Sequence, residues 1–236
     1  MEHIILPDQQ ERPLTFYLAM EEYVAAAFGR GFFVWSVQPT VIIGRNQDLE
    51  AEVNLQYCRE HGVNIVRRKS GGGCVYADKG NLMLSYVTPE RSVDKAFGDF
   101  LSRLASFLRS LGLDAVSTAH NDVLVDGAKV SGNACFARQD CSIVHGTLLL
   151  SVDMDALAKA ITPSAAKLEK HGVQSVRQRV SNLAELGINL DSAGLEAGLV
   201  SAFCDSERIL GTSDIWSIID IEKSYTEPAF ILGKAR

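Results

Sequence analysis

The sequence predicts an α+β domain on a mixed, mostly antiparallel β-sheet. Three observations lead there. Many short β-prone runs are separated by tight-turn signals. Helical segments fall among them irregularly, without the regular strand–helix alternation of a parallel βαβ array. The 236 residues are 47% hydrophobic and 22% charged, an ordinary globular mixture with enough chain for one large domain.

The elements follow in order. Leu18 to Phe28 (LAMEEYVAAAF) reads as a helix closed by Gly29. FFVWSV and TVIIG are short strands with a Gln-Pro turn between them, which predicts a hairpin. NLQYCREHG is a short helix ending at Gly62. NIVRR enters a glycine run as a strand, CVYAD leaves it as another, and NLMLSYV is a third. Phe97, Phe100, Leu101, Leu104, Leu108 and Leu111 recur at helical spacing and Gly112 stops that helix. Strand-like DAVS, DVLVD, AKVSGNACFA and SIVHGTLLLSV come next, and MDALAKAI and SAGLEAGLVSAF read as helices.

Composition narrows the function. No apolar run approaches the roughly 20 residues of a membrane span, and the first residues lack the basic and apolar regions of a signal peptide. Cys58, Cys74, Cys135, Cys141 and Cys204 are scattered and odd in number, which favours a reducing cytoplasm over disulfides or a zinc site. A net charge of −6 argues against nucleic acid as a partner. Against that acidic balance, Arg67-Arg68-Lys69 followed by Ser70 and Gly71-Gly72-Gly73 points to a small anion.

Three glycines between strands allow positive φ and close backbone approach, and successive N–H groups there can converge on an anion. A flexible surface hairpin with solvated charges fits the same stretch. The run is not a P-loop, because no Lys-Ser/Thr follows, and not a dinucleotide fingerprint, because a β-prone segment follows. In HNDVLVDGAKVSGNA, Asp126-Gly127 signals a hairpin turn and puts Lys129 on the returning strand, ahead of Ser131-Gly132. Taken singly, Lys129 reads first as a solvated surface lysine and His145, in VHGTLLL, as a structural histidine.

Together RRKSGGGCVYADKGNL, NDVLVDGAKVSGNA, HGTLLL and KLEKHGVQSVRQRVSNLAEL resemble, in order and spacing, the lipoate–protein ligase A family of the biotin/lipoate ligase superfamily. The resemblance runs from about Leu14 to about Phe230. It implies a mixed sheet sandwiched by helices. It implies ATP- and Mg²⁺-dependent activation of lipoate to lipoyl-adenylate, then transfer to a lysine of a lipoyl-domain acceptor. The acceptors of that family are 2-oxoacid dehydrogenase E2 subunits and the glycine cleavage H protein.

By that resemblance Lys129 is the catalytic lysine, touching both lipoate and ATP. Arg68, Gly71, Gly72, Gly73, Cys74, Val75 and Tyr76 are implied substrate- or ATP-binding positions. So are Asn121, Asp122, Gly132, His145, Gly146 and Thr147, with Asp122 also a Mg²⁺ contact. Lys167 to Leu183 resembles the loop that closes over the adenylate.

Two relatives differ at identifiable positions. One transferase branch carries its cysteine in I-x-P-C-G, where this chain has ITPSA with Ser164 at the cysteine position. Cys135 keeps a lipoyl/octanoyl transferase reading open, and a non-catalytic lipoyl-binding protein is a third reading. The ordinary reading of Cys135 and Cys74 is small apolar packing at strand positions. Biotin ligases carry G-R-G-R-R-G in the glycine loop, which RRKSGGG does not match. Bacterial ligases of the family continue past the PAF segment into a small accessory domain. Here the expectation is one catalytic domain over 1–236 with 216–236 a C-terminal tail, the accessory domain being absent or a separate protein.

Overall fold

The computed structural model describes residues 1–118, 121–162 and 180–233. Pro13, extended at φ −68° and ψ 159°, leads into helix α1 (Leu14–Ala27). Strands β1 (Glu2–Ile5), β2 (Gly31–Trp35), β6 (Asn81–Thr88), β7 (Ala115–Ser117), β8 (Asp122–Val125), β9 (Ala128–Ala137), β10 (Ser142–Leu149) and β11 (Ser206–Ile209) form the large sheet, ordered β11-β1-β2-β6-β10-β9-β8-β7. β1 runs parallel to both neighbours and the other pairings are antiparallel, as the irregular alternation predicts.

A second sheet holds β3 (Thr40–Ile43) between β4 (Asn64–Arg67), parallel to it, and β5 (Val75–Ala77), antiparallel to it. The hairpin expected of FFVWSV and TVIIG does not form. β2 pairs with β1 and β6, whereas β3 lies in the small sheet. Both strands are apolar on almost every residue, so each needs cover on two faces, which pairing with one another would not supply.

Alternation along β10 divides the core. Val144 and Leu148 pack with Leu84, Tyr86 and Phe32 against α4 (Val93–Ser110) and α6 (Ser192–Phe203). Phe100, Leu104 and Leu108 of α4 are fully buried there, the predicted stripe. Ile143 faces the other way, with Phe33, Trp35, Met83 and Val87, onto α1 and onto Ile42, Val66 and Ala77 of the small sheet. The outer face of that sheet (Val41, Ile43, Tyr76) packs on short helices α2 (Leu49–Glu52), α3 (Leu55–Glu60) and α5 (Met154–Ala160).

From residue 216 on, where the sequence suggests a tail, the chain lies in α7 (Thr212–Thr226) and the short α8 (Pro228–Ile231). Ile218 and Tyr225, two turns apart, are buried in the same cluster as α1. Among the described residues no helix is long and apolar enough to cross a membrane.

Candidate active site

β4 and β5 flank β3 on opposite sides, so the chain leaving Arg67 must cross the end of β3 to reach Val75. The glycine run makes that crossing. Gly72 takes a left-handed φ of 94°, and a Cβ on Gly44, at the end of β3, would collide with its carbonyl. Arg68 closes the loop from within. Its guanidinium donates to the carbonyls of Ile42 (3.2 Å), Gly71 (2.7 Å) and Gly73 (2.8 Å) and to Ser70 Oγ (3.1 Å). Arg67 donates to the carbonyls of Gly44, Arg45 and Gln47 and, through Nε, to Ile231 of α8.

Both arginines thus spend donors on backbone carbonyls and hold the loop in shape. Burial pulls the Arg68 guanidinium down to about 10, offset in part by Cys74 and Glu21, so it stays charged at neutral pH. Among the described residues neither arginine is in an ion pair, and the two charges remain as a field behind the loop. Cys74 is half-buried beside Arg68. Val75 packs toward the large sheet, and the Tyr76 ring is buried on the far side of the small sheet, its hydroxyl pushed up by burial.

The second predicted cluster lands opposite. Asp126 (φ 50°) and Gly127 (φ 79°) form the tight turn of the β8–β9 hairpin. A register shift near Val123 and Leu124 then sets Lys129 so that its Nζ meets Asp122 Oδ1 at 2.7 Å. The lysine lies over Gly132, where a Cβ would sit 2.5 Å from both Cε and Nζ. Ser181, at the end of the expected closing loop, donates its N–H to the Lys129 carbonyl. His120, Ser164 and most of Lys167 to Leu183 lie outside the described residues.

β10 completes the floor. Thr147 Oγ1 exchanges hydrogen bonds with the Gly132 backbone at 3.2 and 3.3 Å. Gly146 makes room for the Asn133 side chain, whose amide donates to the Asn121 carbonyl at 2.8 Å and so ties down Asn121, itself at φ 69°. His145 sits across from Ala134, and Ala134 is the neighbour a Cβ on Gly72 would meet at 3.8 Å. The glycine loop and Lys129 therefore converge on residues 132–134 of one strand.

Several residues here escape a sequence reading. Glu21 Oε2 lies 2.9 Å from His145 Nδ1, and His145 Nε2 lies 2.6 Å from Ser70 Oγ. Lys69, Arg138 and Tyr225 all donate to Glu22. The available signal is the pair Glu21-Glu22 inside an otherwise apolar helix, since buried carboxylates require partners. Cys135 points the other way, into the cluster under α4, and burial pushes its thiol up to about 11. Among the described residues no group of three His, Cys, Asp or Glu could hold a metal. The carboxylate beside the lysine among the described residues, Asp122, fits a Mg²⁺ carried mainly by phosphate oxygens rather than a protein cage.

A mixed sheet flanked by helices, with a glycine loop and a lysine meeting over one strand, places the chain in a definite fold class, and the comparisons agree. The lipoyl protein ligase A/B catalytic domain matches residues 13–204. Lipoate–protein ligase 1 of Staphylococcus aureus (strain Mu50 / ATCC 700699) is 39% identical over 175 residues, 72% of this chain and 53% of its own length. Lipoate–protein ligase LplJ of Bacillus subtilis (strain 168) is 38% identical over 172 residues, 71% of this chain and 52% of its own. The chain thus spans about half the length of these curated relatives. A solved chain from Thermoplasma acidophilum, of a system described as a bi-partite lipoate protein ligase and its E2 lipoyl domain, superposes with a TM-score of 0.87 at 25% identity, covering 100% of this chain and 98% of that one. The protein belongs to the lipoyl protein ligase A/B catalytic-domain family.

Proposed function

We propose that the protein is a lipoate–protein ligase, which uses ATP to convert lipoate to lipoyl-adenylate and passes the lipoyl group to a lysine of a lipoyl-domain acceptor. The observation that carries the reading is the convergence of Lys129 and the glycine loop on residues 132–134. An ammonium held there offsets a carboxylate and an α-phosphate brought together, and the negative charge that grows as the carboxylate oxygen attacks phosphorus. The loop N–H groups, shaped by Arg68 from behind, add donors to the same anion. Mg²⁺, when bound, would neutralise phosphate charge, and Asp122 would be a carboxylate contact for it. No protein nucleophile is needed. The acceptor is an E2 subunit or H-protein lipoyl domain, and the setting is the cytoplasm.

The test is mass spectrometry of an apo lipoyl domain after incubation with protein, lipoate, ATP and Mg²⁺. A lipoyl mass increment on its lysine is expected, and its absence with a competent acceptor removes the reading. The Thermoplasma ligase is described as bi-partite, so the assay is run with and without a second polypeptide.

Two substitutions probe the details. Cys135→Ser is expected to keep ATP-dependent activity within about tenfold, because a half-buried thiol on the other face of the sheet loses mainly packing. ATP-independent acyl transfer that Cys135→Ser abolishes would move the protein to the transferases. Gly132→Ala is expected to leave melting nearly unchanged and lower activity about 10- to 100-fold. The new methyl pushes the flexible end of Lys129 aside, and misplacement by about 1 Å can cost that much. Wild-type turnover in a folded Gly132→Ala would show that the Lys129 position is unimportant.

A further inference from the structure

The large sheet opens beside its parallel strand. β1 and β2 are in register only at His3↔Phe32, and beyond Ile5 the chain leaves the sheet toward Pro13 and α1. The gap is a cavity of about 560 Å³, within the usual size range of small-molecule pockets. Residues 3–9 form one wall, α1 another through Tyr17 and Met20, β2 a third, and α6 contributes Glu196. Neither the glycine loop nor Lys129 lines it. Its polar groups are unmatched. Glu196 is half-buried without a hydrogen bond or ion pair among the described residues, and burial pushes its carboxyl up. His3 Nδ1 is buried without a partner, and burial pulls the imidazole down against the weaker effect of Glu207, which keeps it neutral at neutral pH. The Tyr17 ring is fixed by stacking on Trp35 at 4.6 Å, and its hydroxyl has no hydrogen-bond partner among the described residues. The charges that act on Tyr17 are Arg12, Glu11, Asp8 and Glu196. Arg12 is paired with Asp8 and Glu11 with Lys79, so Glu196 is the charge left uncompensated.

We infer that this cavity binds a small aliphatic primary amine as its ammonium ion, at a site separate from the one described above. A carboxylate left unpaired in a partly dry place weakens the fold unless a cation completes it. Among the described residues no lysine or arginine is on the lining, so the cation must come from outside. An anion would be repelled by Glu196 and Asp8. A neutral apolar ligand would strip water from Glu196 and leave it unpaired. A primary ammonium brings three N–H donors, and the Glu196 carboxylate, the Tyr17 hydroxyl oxygen and the neutral His3 Nδ1 can each accept one. The alkyl chain then lies against Ile5, Leu6, Met20 and Phe33, which supply the apolar part of the lining. A quaternary ammonium suits the cavity less. It has no N–H to donate and needs open aromatic faces, and Trp35 covers one face of Tyr17.

Pentylamine is the probe, titrated into the isotope-labelled full chain and followed by its amide shifts. Shifts centred on His3, Tyr17, Val34 and Glu196 are expected, with a Kd of about 1 mM for a ligand of about six non-hydrogen atoms. Pentanol keeps the chain without the charge, and pentanoate reverses the charge. Each is expected to bind at least about tenfold more weakly, and Glu196→Gln to weaken pentylamine by about the same factor, the loss of a charged acceptor. Glu196→Gln puts an amide of the same shape in place of an unpaired carboxylate. It is expected to melt at or above the wild-type temperature, so lost binding is not lost fold. Tyr17→Phe, which removes one oxygen, is a second test and should cost about threefold. Absence of shifts around the cavity at about 10 mM pentylamine would overturn the assignment. So would pentanol or pentanoate binding as tightly as pentylamine, or an unchanged Kd in Glu196→Gln.

Discussion

Lys129→Ala is expected to abolish most lipoylation, with adenylation and transfer each slowed about 10²–10³-fold. The lysine lies over Gly132 and against Asp122, on the strand where the two predicted clusters meet. Removing it leaves a carboxylate and a phosphate to approach one another with their charge poorly offset. It also removes one ion-pair contact of Asp122, which is largely enclosed, with side-chain exposure of 11%. That costs about 1–2 kcal/mol of stability, reduced because the lysine itself is partly solvated. The two effects can be separated. Lys129→Ala with Asp122→Asn should recover the melting temperature without recovering activity. Lipoylation by folded Lys129→Ala at near wild-type rate would remove the lysine from the mechanism.

Arg68→Ala should affect both stability and binding. Five hydrogen bonds from one guanidinium reach Ile42, Ser70, Gly71 and Gly73. Their loss leaves carbonyls at the base of the loop without donors, and each bond from a charged donor contributes about 1.5–3 kcal/mol, not additively. A net destabilisation of about 3 kcal/mol is expected in urea unfolding, with ATP affinity down at least tenfold because the glycine run loses its shape. Arg68→Lys should recover little, since a single ammonium cannot span three carbonyls and a hydroxyl. Full affinity in Arg68→Lys would mean that only the charge matters.

Much of this was legible in the chain. Periodicity located α4, because Phe100, Leu104 and Leu108 form a stripe whose only stable fate is burial. Asp126-Gly127 located the hairpin that delivers Lys129, because few residue pairs accept positive φ twice in succession. The order of motifs identified the family. These signals are local, carried by dihedral preference and apolar spacing within a few residues.

Tertiary structure decided the rest. β2 and β3 are neighbours in sequence yet belong to different sheets, since pairing choice depends on strands far along the chain. Gly44 must be a glycine only because Gly72 arrives against it from the loop beyond the C-terminal end of β4. The arginines look alike before the glycine run. Their partners, the carbonyls of Ile231 and Gly44 for Arg67 and of Ile42, Gly71 and Gly73 for Arg68, exist only once the loop and α8 have closed around them. Glu21 and His145 are 124 residues apart, and nothing in either segment announces the other. Hydrogen bonds between distant side chains leave no periodic trace in a sequence. They are set by which face of each strand turns inward, and that is settled when α1, β6 and β10 pack together.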